Sequence, residues 1–156
     1  MKPAVSIVLC ALFAGCSSYR NWRELKTEPM SLGEAWKGFE DIVGSRDGWT
    51  EDRSRSDRGN GLWESRWKER ESPMNFPIRN RLRMEILVDE GSRAEGWVIR
   101  YAIEQEKCED LRRHMDPTEQ DWSSDGQNTE AEAVLGERLV RRLAPASVEV
   151  RAPGRR

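Results

Sequence analysis

Two stretches of this chain alternate apolar and charged side chains with a period of two, and nothing else in it constrains the fold as strongly. In "RNRLRMEILV", Leu82, Met84, Ile86 and Val88 point one way, and Arg79, Arg81, Arg83 and Glu85 the other. In "GWVIRYAIEQE", Trp97, Ile99, Tyr101 and Ile103 alternate with Val98, Arg100, Ala102 and Glu104. Only a strand sorts side chains to opposite faces at this spacing. The intervening "DEGSRAEG" supplies a turn. Together they predict an antiparallel pair with one apolar and one charged face.

The stretch before them, "GWTEDRSRSDRGNGLWESRWKERE", predicts a hairpin about Asn60-Gly61, a strong turn dipeptide. On its second arm Trp63, Ser65 and Trp67 share one face, and Glu64, Arg66 and Lys68 the other. The first arm, Trp49 to Ser56, is polar, which suits an edge. The expected sheet is a meander of three to four strands.

Two segments carry helical spacing. In "SLGEAWKGFEDIVG", Leu32, Ala35, Trp36, Phe39, Ile42 and Val43 line one face, Ser31 and Glu34 form a capping box, and Gly44 stops the helix. From Thr129 to Leu143, Ala131, Leu135, Leu139, Val140 and Leu143 line one side. Acidic residues sit in its first turn and arginines near its end, as the helix dipole favours. Helix, strands, helix predicts an α+β domain of two layers over residues 31–145. The polar run from Asp110 to Gln127 reads as a connection, residues 146–156 as a tail, and residues 16–30 as a tether. Tyr19 and Trp22, set among Arg20, Arg23 and Lys26, suit either a lipid interface or packing on the domain.

The start of the chain reads differently. Lys2 precedes a largely apolar run of ten residues, "AVSIVLCALF", followed by Ala14, Gly15 and Cys16. Such a run is too short to span a bilayer, which needs ~20 residues. It has the layout of a secretory signal over residues 1–15. The ending "FAGC" resembles the lipobox of bacterial lipoproteins, with Phe13 in place of the usual leucine. That resemblance implies cleavage before Cys16, diacylglycerol on its sulfur and an acyl chain on its new amino group. Ser17, where an aspartate would favour the inner membrane, leans the expected address to the outer membrane, facing the periplasm. Cys10 leaves with the signal, so Cys108 remains without an intramolecular partner.

The net charge of −2 gives no electrostatic case for nucleic acid. His114 stands in a polar loop with no second histidine, so no metal or other cofactor is expected. Asp116, Glu119, Asp121 and Asp125 do not follow the spacing of a calcium loop. No nucleophile or phosphate-loop motif is present, and catalysis is not expected. The feature that invites a function is the charged sheet face, with Arg66, Lys68, Arg79, Arg81, Arg83 and Arg100. It reads either as cross-strand ion pairing or as a contact surface for an anionic partner.

The layout, a small α+β domain on a lipidated tether, is similar to accessory lipoproteins of outer-membrane biogenesis. The run from Gly48-Trp49 through Gly61, Leu62, Trp63, Ser65 and Trp67 resembles the helix-then-hairpin opening of their helix-grip domains. The resemblance implies an anchored, non-catalytic module that contacts an envelope protein. The alternative is a carrier for a lipid or other amphiphile, which needs a cavity among Trp36, Trp63, Trp67 and Trp97.

Overall fold

The computed structural model describes residues 21–45, 47–71, 77–110 and 118–149. Cys16, His114 and most of the tail lie outside them. The described residues form an α+β domain with an antiparallel sheet and two long helices on one of its faces.

The first element is a strand, β1 (Arg23–Lys26), followed by α1 (Leu32–Ser45). Ser31 caps α1 as its spacing predicts: its hydroxyl accepts from the Glu34 amide at 3.2 Å, and its own amide donates to Glu34 at 2.8 Å. Next come the short strands β2 (Leu62–Glu64) and β3 (Lys68–Glu71), then the long pair β4 (Pro77–Ser92) and β5 (Gly96–Cys108). A final strand, β6 (Trp122–Gln127), leads into α2 (Thr129–Leu143), and α3 (Ala146–Glu149) adds one turn.

The sheet is built around β4 and β5. β4 carries β2 and β3 end to end along its outer side, and β5 carries β1 and β6 in the same way. Leu82, Met84, Ile86, Ile99, Tyr101 and Ile103 point to the helices and are buried, as their alternation predicts. Against them pack Ala35, Phe39 and Val43 of α1 and Leu135, Leu139 and Leu143 of α2. Phe39 meets Trp63 edge to face, with ring centroids 5.2 Å apart, a favoured aromatic geometry. The indole of Trp97 donates to the Met30 carbonyl at 2.9 Å, so its one polar atom is satisfied. No helix among the described residues is long and apolar enough to cross a membrane.

The sheet has six strands where three to four were expected, and five further expectations are corrected. The tether read over residues 16–30 contains β1, and Leu25 within it is buried against β5. Four residues were too few for a period to show. The connection read over residues 110–127 contains β6, whose "WSSDGQ" lacks apolar alternation because both of its faces remain partly open. The tail begins with a helical turn at Ala146–Glu149. The first arm of the hairpin, Trp49 to Ser56, is no strand: its pairing with the second arm amounts to isolated bridges at Glu51–Ser65 and Asp57–Leu62 rather than a ladder. Its turn does fall at Asn60-Gly61. Gly61 has φ +78°, and a Cβ there would stand 2.2 Å from the Ile86 carbonyl, so only glycine fits. Val88, expected inward, is exposed near the turn of the β4–β5 hairpin, where the register shifts.

Candidate functional site

The charged face lies opposite the helices, and its order follows from register. Arg79 stands across from Glu106, Arg81 from Glu104, and Glu85 from Arg100; Glu64 of β2 stands across from Arg83. Each arginine therefore meets a carboxylate on the neighbouring strand. Arg100 Nε donates to Glu85 at 2.8 Å, and Arg83 Nη2 donates to the same carboxylate at 3.0 Å. Arg83 reaches on to Glu64 at 3.7 Å, and Arg81 joins Glu64 at 3.1 Å to Glu104 at 2.7 Å. Arg55 also donates to Glu64, at 3.1 Å. Arg79 holds Glu106 at 2.8 Å and grips both oxygens of Glu119 at 2.9 Å.

Tryptophans continue the ladder. Arg79 lies between Trp67 and Trp122, 4.5 and 4.6 Å from their centroids, and Arg81 covers Trp67 at 4.4 Å. Arg100 covers Trp22 at 5.0 Å. Guanidinium planes stack on indole faces through charge–quadrupole attraction. The indoles also shelter the arginines: the Arg79 side chain is 6 % exposed.

Trp67 was expected on the apolar face with Trp63. It is on the arginine face because the strand carries a bulge. Leu62, Trp63 and Glu64 pair with Glu85, Met84 and Arg83, whereas Lys68 pairs with Asn80. Arg66 and Trp67 thus oppose Arg81 alone, one residue too many, and every side chain beyond changes face. Ser65 marks the break: its buried hydroxyl accepts the Leu82 amide at 2.9 Å. The same bulge removes two residues from the expected cluster. Lys68 is carried to the helix side, where its ammonium covers Trp49 at 5.5 Å and donates to the Asp47 carbonyl. Arg66 is exposed in the bulge beside Asp52. Four of the six predicted residues therefore share the face: Arg79, Arg81, Arg83 and Arg100.

Charge on this face is matched. Arg55, Arg79, Arg81, Arg83 and Arg100 meet Glu64, Glu85, Glu104, Glu106 and Glu119. Glu64 and Arg79 are nearly dry, so these pairs are part of the fold rather than solvated decoration. Among the described residues, each of these arginines is engaged by at least one carboxylate. No family model matches this chain, and no match is found among curated proteins. The site is thus read from its geometry alone.

Of the acidic residues noted between 116 and 125, Asp116 lies outside the described residues and the other three are paired. Glu119 holds Arg79, Asp121 accepts from the Thr118 hydroxyl at 2.7 Å, and Asp125 meets Lys107 at 3.6 Å. Among the described residues no group of three potential metal ligands comes together. Cys108 is buried, with its thiol 3.6 Å from the Asp110 carbonyl. Trp36, Trp63 and Trp97 belong to the packed core, and none of the three clefts described is lined by them or by Trp67.

Sequence reasoning missed a buried carboxylate on α2. Glu132, 1 % exposed, lies under the gap where β1 and β6 meet along β5. It accepts from the Ile103 amide at 2.9 Å, the Gln127 side chain at 2.8 Å and Arg23 Nε at 3.1 Å. Gln127 in turn accepts the Asn21 amide at 2.7 Å. The carboxylate stands in for a strand residue that neither β1 nor β6 supplies. Read as a first-turn helix acid, it gave no sign of this.

Acid is expected to loosen the domain. Hydrogen bonds from Arg79 to Glu119, Ser31 to Glu34, Ser54 to Asp52 and Asn60 to Asp57 hold these carboxyls below their usual range. A carboxyl with a depressed folded pKa adds stability above its unfolded value, and loses it as pH falls through the folded one. The urea midpoint, followed by tryptophan fluorescence, is expected to be level from pH 8 to 6. Below about pH 4 it should fall. A midpoint higher at pH 3 than at pH 7 would contradict this.

Proposed function

We propose that this chain is a non-catalytic module of the bacterial cell envelope, anchored by lipid on Cys16 and acting through contact with an envelope protein. The observation that carries the reading is how near to Cys16 the paired, described residues come. Asn21 is already hydrogen bonded to Gln127, and the first strand starts at Arg23. Five steps of chain separate Cys16 from Asn21, a reach of about 17 Å at full extension. A lipidated Cys16 would hold the corner formed by β1 and β6 against the headgroups. Trp22, stacked on Arg100, sits at that corner, where an indole is well placed at a lipid interface. The order of α1, antiparallel sheet and α2 is compatible with the helix-grip layout of accessory lipoproteins of outer-membrane biogenesis, an argument from fold analogy. The proposed address is the outer membrane, facing the periplasm.

Density-gradient fractionation tests this. Expressed in a diderm bacterium, the full chain is expected in the outer-membrane fraction, and Cys16→Ser is expected to leave that fraction. An identical distribution of the two proteins would overturn the anchor.

A further inference from the structure

We infer that the free edge of β1 pairs with the β1 of a second copy of this chain, antiparallel and centred on Leu25. The backbone sets the reach. The Thr27 amide donates to the Trp97 carbonyl at 2.9 Å and the Trp97 amide donates to the Thr27 hydroxyl at 2.9 Å, so Thr27 turns its polar groups towards β5. In an antiparallel ladder this direction alternates along the strand, so Leu25 and Arg23 also turn their polar groups to β5. The N–H and C=O groups of Glu24 and Lys26 therefore point outward. No described strand lies beyond them. They open onto a groove of about 680 Å³ between β1 and α2, whose floor includes Leu25, Tyr101 and Gly136.

Charge selects the occupant. Three registers let a second β1 use these outward groups. Placing Glu24 across from Glu24, or Lys26 across from Lys26, sets like charges opposite one another. Placing Glu24 across from Lys26 makes two reciprocal pairs of opposite charge, with Leu25 facing its own copy on the groove side. Like charges directly opposite destabilise a sheet and unlike charges support it. Both side chains are exposed, and neither is in an ion pair among the described residues. The helix beside the groove repeats the pattern, with Glu137 and Arg141 on its rim. The surface is self-complementary, as an isologous interface must be. Charged edges ordinarily prevent pairing; here the charges forbid two registers and permit one. The inference does not depend on the anchor, although confinement to one membrane would raise the local concentration of copies.

Two differently tagged full chains, co-expressed and extracted in mild detergent, provide the test. Wild-type copies are expected to co-purify. Glu24→Lys alone and Lys26→Glu alone are each expected to reduce self-capture at least tenfold. Glu24→Lys mixed with Lys26→Glu is expected to restore it, since each lysine then meets a glutamate. Thermal melting of each variant checks the fold. Wild-type copies that do not co-purify would overturn the inference, as would self-capture unchanged by either reversal. Capture of a different protein that depends on Glu24 and Lys26, without self-capture, would also overturn it and assign the edge to that protein's strand.

Discussion

Glu132→Ala is expected to cost about 3 kcal/mol, the scale for removing one partner of a buried, charge-assisted network. The truncation strips the buried Ile103 amide of its acceptor, and releases both Gln127 and Arg23. Arg23 is 43 % exposed and recovers hydration, so the buried amide dominates the loss. For a domain of this size the melting temperature should fall by about 10 °C. Glu132→Gln keeps an oxygen for Ile103 but cannot accept from Arg23 with full charge, so a smaller loss of about 1 kcal/mol is expected. Differential scanning calorimetry of the two variants separates these cases. Equal loss in both would mean that the charge matters more than the amide.

Arg79→Ala is expected to be nearly as damaging, by about 3 kcal/mol, and for a different reason. Glu119 is 81 % exposed, so that ion pair contributes little despite its two-point geometry. The loss comes from the Glu106 pair and from the stack between Trp67 and Trp122, where sheltered cation–π contacts reach about 2 kcal/mol. Arg79→Lys keeps the charge but not the plane. It cannot lie flat between two indoles while holding two carboxylates. A loss above about 1.5 kcal/mol is therefore expected for lysine as well. Urea unfolding followed by fluorescence reads both stability and the indole environment. A lysine variant as stable as the parent would show that charge alone supports this face.

Reversing Arg81 and Arg83 to glutamate would act on the fold itself. It would set new carboxylates against Glu64, Glu85 and Glu104 and break the sheet. The charged face was legible as a face, because Arg79, Arg81, Arg83 and Arg100 alternate with residues that had to be buried. Its partners were legible in kind, since glutamates are interleaved with the arginines. What the sequence did not reveal was register. The bulge at Arg66 and Trp67 adds one residue without glycine or proline to mark it, and so moved Trp67 and Lys68 to the faces opposite those their spacing predicted. The two helices were readable because each repeats its period over several turns. Strands β1 and β6 were not: they are short, and their pairing with β5 is set by residues distant in the chain. Glu132 was hidden for the same reason, since its burial depends on where those two strands stop.

The ladder and the Glu132 knot account for how the domain holds together. The functional claim depends on a single atom, the sulfur of Cys16. The most direct measurement is the intact mass of the protein recovered from membranes of a diderm host. The account predicts a chain that begins at Cys16 and carries a thioether-linked diacylglycerol and an N-terminal acyl group, with neither on Cys16→Ser. A wild-type chain with a free Cys16 thiol, or one cleaved elsewhere, would contradict it.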